Sequence, residues 1–126
     1  MSTDDNNGES LLIVTSMGPE VAERCFAPFI IASAAQMMDV KVEIFMMMDA
    51  VILAMKGAAK HVKAPGFPPL PDLIQSFFDE GGKIWVCSNS QHFRRISPKS
   101  LVEGTEIAGV AKMVELMMDF DKTLSI

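Results

Sequence analysis

The chain is predicted to be an α/β protein built on a mostly parallel five-stranded sheet with helices on both faces. Two observations lead there. Short apolar runs alternate with segments of helical period in the order β-α-β-α-α-β-α-β-α-β, the pattern of a layered parallel sheet. The clearest of these runs, Leu11-Leu12-Ile13-Val14 and Ile84-Trp85-Val86, are apolar throughout rather than alternating. A strand covered on both faces reads that way.

Length and composition set the outer limits. A chain of 126 residues fits one domain, expected over 11–126, with 1–10 as a disordered lead-in. Nearly half the residues are apolar and the mean hydropathy is +0.26, high for a small monomer that must face water. Burial of apolar surface between copies, and hence a homo-oligomer, is expected. A net charge of −5 with no basic stripe argues against nucleic acid. The acidic start, with Asp4, Asp5 and Glu9, is unlike a signal peptide, and Phe26 to Met38 is too short and polar to cross a bilayer. A cytoplasmic protein without a membrane span is expected. Two cysteines, Cys25 and Cys87, make no disulfide framework and have no CxxC spacing.

Taken in order, Leu11 to Val14 is the first strand, ended by Thr15-Ser16-Met17-Gly18-Pro19. Pro19 and Glu20 suit a first helical turn. The helix they open is expected to reach Met38, with Ala22, Cys25, Phe26, Phe29, Ile30, Ser33 and Met37 at steps of three and four and a kink at Pro28. Val40 to Met46 is the second strand, after which Asp49 caps a short helix to Lys56, stopped by Gly57. Ala58 to Pro71 carries five prolines and glycines between 65 and 71 and is read as irregular. Asp72 to Glu80 is a helix with Leu73, Ile74, Phe77 and Phe78 on its buried side. A small helix or turn near 90–95, a helical piece to Glu103, a strand at Glu106 to Val110, a helix from Ala111 to Met118 and a strand from Lys122 to Ile126 complete the chain.

The chemistry is expected at Lys83 to Arg95, KIWVCSNSQHFRR. An apolar strand ends on Cys87 and gives way at once to Ser88-Asn89-Ser90, so that a thiol is delivered to a small polar loop and helix start. Backbone N–H groups of Ser88 and Asn89 there would favour thiolate, and Arg94 or His92 would add positive charge. Ligands of open α/β sheets bind outside the carboxyl ends of the strands. That rim collects Ser16-Met17-Gly18, Met47-Met48-Asp49 and Cys87-Ser88-Asn89.

With these pieces in place the sequence resembles the DsrE/DsrF-like (YchN-like) family of small α/β proteins. The matching stretches are Met17-Gly18-Pro19, Phe26 to Met38, VEIFMMMDAVILAMKG at 42–57, DLIQSFFDEGGKIWVCSNS at 72–90 and the segment from Gly104 to Ile126. The resemblance implies a three-layer fold and a sulfur-handling role, in which a cysteine at the end of the third strand accepts sulfur as a persulfide and passes it to a partner within trimers or hexamers. Cys87 stands at that place. Arg94-Arg95 is similar to a pair found downstream of the cysteine in some members, although Ile96 follows where they usually have glycine.

Plainer readings accompany each of these residues. Free cysteine is among the most buried residue types, so Cys87 is alternatively inert core, and Cys25, on the apolar face of a helix, is read as structural. His92 beside one cysteine falls short of the three or four ligands zinc wants, and no metal or cofactor is expected. The eleven methionines are read as core and interface filling rather than a Cu(I) site. The proline-rich loop is read as a rigid connector, with a lid as the alternative. Two functions therefore stand. One is a persulfide carrier or sulfurtransferase-like subunit of sulfur relay using Cys87, with donor and acceptor proteins as partners. The other is a non-catalytic oligomeric protein that binds a small ligand or partner on the same fold, with Cys87 incidental.

Overall fold

The structure, a computed structural model, describes residues 9–126. Residues 1–8, where most of the expected disordered lead-in falls, lie outside them.

Five strands form one sheet: β1 (Ser10–Thr15), β2 (Lys41–Met46), β3 (Lys83–Cys87), β4 (Thr105–Ala108) and β5 (Lys122–Ser125). Their order is β4-β3-β2-β1-β5, and every pairing is parallel. The helices are α1 (Ala22–Met37), α2 (Leu70–Asp79), α3 (Ser88–Phe93) and α4 (Val110–Asp119), with 3-10 turns at Met48–Ala54, Ala59–His61 and Pro98–Ser100. From β1 the chain steps through β2 and β3 to β4, then returns through α4 to place β5 on the other side of β1. Crossovers of one hand that run in opposite directions put their helices on opposite faces.

The two faces differ in cover. Ile13, Ile44 and Ile84 are register neighbours on the first face, at most 2% exposed. They share a core with Phe26 and Phe29 of α1 and Phe77 of α2, whose ring meets Phe29 edge-on at 5.8 Å. The second face carries Leu12, Val14, Phe45, Trp85 and Cys87, packed with Leu116 of α4 and partly with Met47, Met113 and Phe120. Glu43 is buried on this face too, and accepts the Trp85 indole N–H at 2.7 Å.

Several boundaries correct the sequence reading. The helix expected from Pro19 begins at Ala22, because Pro19 and Glu20 lie in a turn closed by Val21 N–H on the Gly18 carbonyl at 3.1 Å. The segment after Asp49 is a 3-10 turn rather than an α-helix, starting one residue before the expected cap. Pro71 belongs to α2, at a first-turn position where its missing N–H costs nothing. β4 starts and ends earlier than expected, and α3 begins at Ser88, directly after the cysteine. Within the proline-rich stretch Phe67 stacks on Phe26 at 5.0 Å, which pins the loop against α1. That contact agrees with a connector.

Candidate functional site

Cys87 ends β3 and is the residue that leads into α3. Alternation along the strand decides which way its side chain goes. Ile84 and Val86 point to the first core, so Trp85 and Cys87 point to the second, and the thiol is buried there at 2% exposure beside Leu12, Val14, Phe45 and Leu116. The sequence placed it in an open polar loop. The backbone does reach that loop, but the sulfur points back beneath α4. Ser88 is half-buried and its Oγ lies near Gly109, 3.6 Å from where a β-carbon would stand on that glycine. Asn89 and His92 are exposed on α3.

A second group of the expected residues gathers around Asp49. Arg94 Nε and Nη2 both donate to Asp49 Oδ1, at 3.1 and 2.7 Å, and Nη1 donates to the Ser90 carbonyl at 3.2 Å. Ser90 Oγ accepts the Met48 N–H at 2.8 Å. Met48 has φ of +54°, a left-handed conformation that costs a side-chain-bearing residue about 1–2 kcal/mol. The strained turn aims Asp49 at Arg94, as strain near sites often does. Gly18 is pressed against the same point, since a β-carbon there would stand 2.5 Å from the Asp49 carbonyl oxygen. Met17, next to it, is half-buried. The guanidinium of Arg94 is thus engaged by a carboxylate, and only Met48, Asp49, Ser90, Arg94 and Gly18 form one constellation. Cys87 faces the other side of the sheet.

Ser90 and Phe93 were missing from the expected site. Ser90 is buried and locks the Met48 turn, while Phe93 is 82% exposed with the Arg94 guanidinium 5.5 Å from its ring. A serine in a small polar run gives no sign of such a bond, because its partner lies 42 residues earlier.

Cys25 takes the structural role expected of it. Its Sγ donates to the Gly18 carbonyl at 3.1 Å, and burial, with Glu20 adding to it, pushes the thiol up to about 11. Among the described residues no group of three or more His, Cys, Asp or Glu is placed to hold a metal ion, and no helix is long and apolar enough to cross a membrane.

The fold defines a small α/β protein built on an all-parallel five-stranded sheet, with its loops gathered at the carboxyl ends of the strands. The chain belongs to the DsrE/DsrF-like family, whose model matches residues 9–126. It is 45% identical over 101 residues to an uncharacterised protein of Methanocaldococcus jannaschii, a match that takes in 80% of this chain and 37% of that protein. The chain therefore spans little more than a third of that relative. An uncharacterised protein of Methanopyrus kandleri is 24% identical over 114 residues, covering 90% of this chain and 91% of its own. Among solved structures, the YchN protein of E. coli superposes with a TM-score of 0.78 at 21% identity, over 94% of this chain and 99% of that one. A conserved protein of unknown function from Bacteroides thetaiotaomicron gives 0.70 at 15% identity, over 100% and 98%. These structural likenesses are likenesses of fold.

Proposed function

We propose that the chain is a cysteine persulfide carrier of sulfur relay, with Cys87 as the residue that holds the sulfur. The observation that carries this is the position of Cys87, at the carboxyl end of β3 and directly before α3 in a chain of the DsrE/DsrF-like family. The Cys87 thiolate attacks the outer sulfur of a donor persulfide. A new Sγ–S bond forms, the donor's S–S bond breaks, and the donor leaves as thiolate with the bonding pair. No oxidant is consumed. An acceptor thiolate reverses the exchange.

Burial shapes how this proceeds. A thiol at 2% exposure exchanges only when its cover opens, and the cover includes Met47, Ala108 and Met113, packed against the cysteine's cluster. The closed state keeps a bound persulfide from water and oxidant between transfers. The exposed α4 stripe Val110, Val114, Met117 and Met118 continues around the helix from the buried Leu116, a second apolar face that supports self-association as a trimer or hexamer.

The test is intact-protein mass spectrometry after incubation with a persulfide donor, comparing wild type, Cys87→Ser and Cys25→Ser. Carriage requires a reducible gain of sulfur that only Cys87→Ser abolishes. No gain, or gain on Cys25 alone, sinks it. The same burial of Cys87 favours the second reading, a non-catalytic oligomeric binding protein with an incidental cysteine, and that reading is what a null result leaves.

A further inference from the structure

We propose that a cavity under the edge of the sheet, on the face opposite to Cys87, binds a small amphiphile with an apolar body and a single carboxylate, held at its anionic end by Lys60. This site is independent of the cysteine. The space arises because the return from α3 to β4 is made by one 3-10 turn, the short piece Leu101–Val102 and a turn at Glu103–Gly104, tied to the Met48–Ala54 turn by Val102 N–H on the Ala54 carbonyl at 2.7 Å. α2 closes the opposite side. What remains between them is a cavity of about 620 Å³. Small-molecule sites usually fall at roughly 300–1,000 Å³.

Its walls are apolar and its opening is charged. Met46, Leu53, Ala54, Ile74 and Ile84 line it and are at most 8% exposed. Lys60, Gln75 and Glu103 are the exposed polar residues around it. The Lys60 stem lies beside Gly57, with Cε 3.9 Å from where a β-carbon would stand, an ordinary van der Waals separation. The sign of the ligand follows from the two lips. Lys60 is the one cation that lines the cavity, and it lies in a stretch, 56–63, that carries Lys56, His61 and Lys63 as well and no acid, in a protein whose net charge is negative. Glu103 is the one acid that lines it. A carboxylate is attracted to the lysine lip, and a second anionic group would meet Glu103, which disfavours phosphate chains and dicarboxylates.

Decanoate, decanol and decylammonium are titrated into the native protein while the methyl resonances of Met46, Leu53, Ile74 and Ile84 are followed, in wild type and in Lys60→Glu and Gln75→Trp. Both variants are at exposed positions, and a folded spectrum verifies each. Saturable decanoate shifts at these methyls are expected, with little change at Leu12 and Val14. Lys60→Glu should weaken decanoate by about tenfold and leave decanol unchanged, and Gln75→Trp should weaken both by obstructing the opening. Absence of saturable shifts at these methyls, indifference of decanoate to Lys60→Glu, or tighter binding of decylammonium overturns the proposal. Sulfur loading of Cys87 reads separately, so either result stands without the other.

Discussion

Arg94 meets Asp49 across 45 residues of sequence, two of its nitrogens converging on one carboxylate oxygen at 3.1 and 2.7 Å. The pair joins α3 to the 3-10 turn after β2 and so fastens the two loops that follow neighbouring strands. Both side chains are partly open to solvent, the aspartate at 46% and the arginine at 23%, which limits what the attraction contributes. A double-mutant cycle of Asp49→Ala and Arg94→Ala, read by urea unfolding, should give a coupling of about 0.5–1 kcal/mol that shrinks with added salt.

Gly18 controls the same point from the other side. Its missing β-carbon leaves space for the Asp49 backbone, and Gly18→Ala should displace that turn and destabilise the protein by roughly 1–3 kcal/mol, as overpacking does. If Gly18→Ala melts with wild type, the close approach is not a constraint.

Met48 offers the reverse experiment. At φ of +54° and 56% exposed, it bears left-handed strain with little packing to lose. Met48→Gly should raise stability by on the order of 0.5 kcal/mol, the strain relieved less the flexibility glycine adds. Ser90→Ala, which strands the Met48 N–H, should lower it by about 1–2 kcal/mol. Thermal melts of the two variants should therefore move in opposite directions.

Cys25 predicts a pH dependence. Its folded pKa, raised to about 11 from an ordinary value of 9.0, means the native state holds a proton that the unfolded chain releases first. That contribution is complete below pH 9 and is lost as pH rises toward 11, so stability should fall across this window by up to about 2 kcal/mol. Cys25→Ala should be less stable at neutral pH through the lost contacts, and its stability should decline less steeply between pH 9 and 11.

Cys87 should alkylate slowly in the native protein, and Met113→Ala should speed it by roughly five- to tenfold by loosening the cover, without changing Cys25. Equal acceleration of both cysteines would point to global unfolding instead.

The central strands and their parallel sense were legible in the sequence because they are short runs covered on two sides, whereas the edge strands, TEIA and KTLS, carry little apolar signal and were read from their place in the alternation; the helices were legible because Phe26, Phe29, Ile74 and Phe77 recur at helical steps. Termini were legible only where a residue forces them. Gly81, at φ of +93°, does so just past α2; Gly57 did not, since the segment after Asp49 already stops at Ala54 with Met55 extended, and neither did Pro19, because a proline is as suited to the turn before a helix as to its first residue. The site was harder. That Cys87 ends a strand follows from its neighbours, but which face its thiol takes depends on register with β2 and on where α4 returns, and neither is written near residue 87. The Asp49–Arg94 pair and the Ser90–Met48 bond join segments more than 40 residues apart, and the cavity beside Lys60 is a gap between elements rather than a motif.

The place of β1 inside the sheet has a consequence for how the molecule is made. Its outer neighbour is β5, so Leu11 to Val14 pair with residues 122–125. During synthesis β1 can dock on β2 early, but its other edge stays unpaired until residues 122–125 have left the ribosome. α4, lying between β4 and β5 in the chain, arrives equally late to cover Trp85 and Cys87. The nascent chain therefore passes through a stage in which one face of a four-stranded sheet is bare and the Cys87 thiol uncovered, and that is the interval in which a chaperone, or a neighbouring copy, has most to grip.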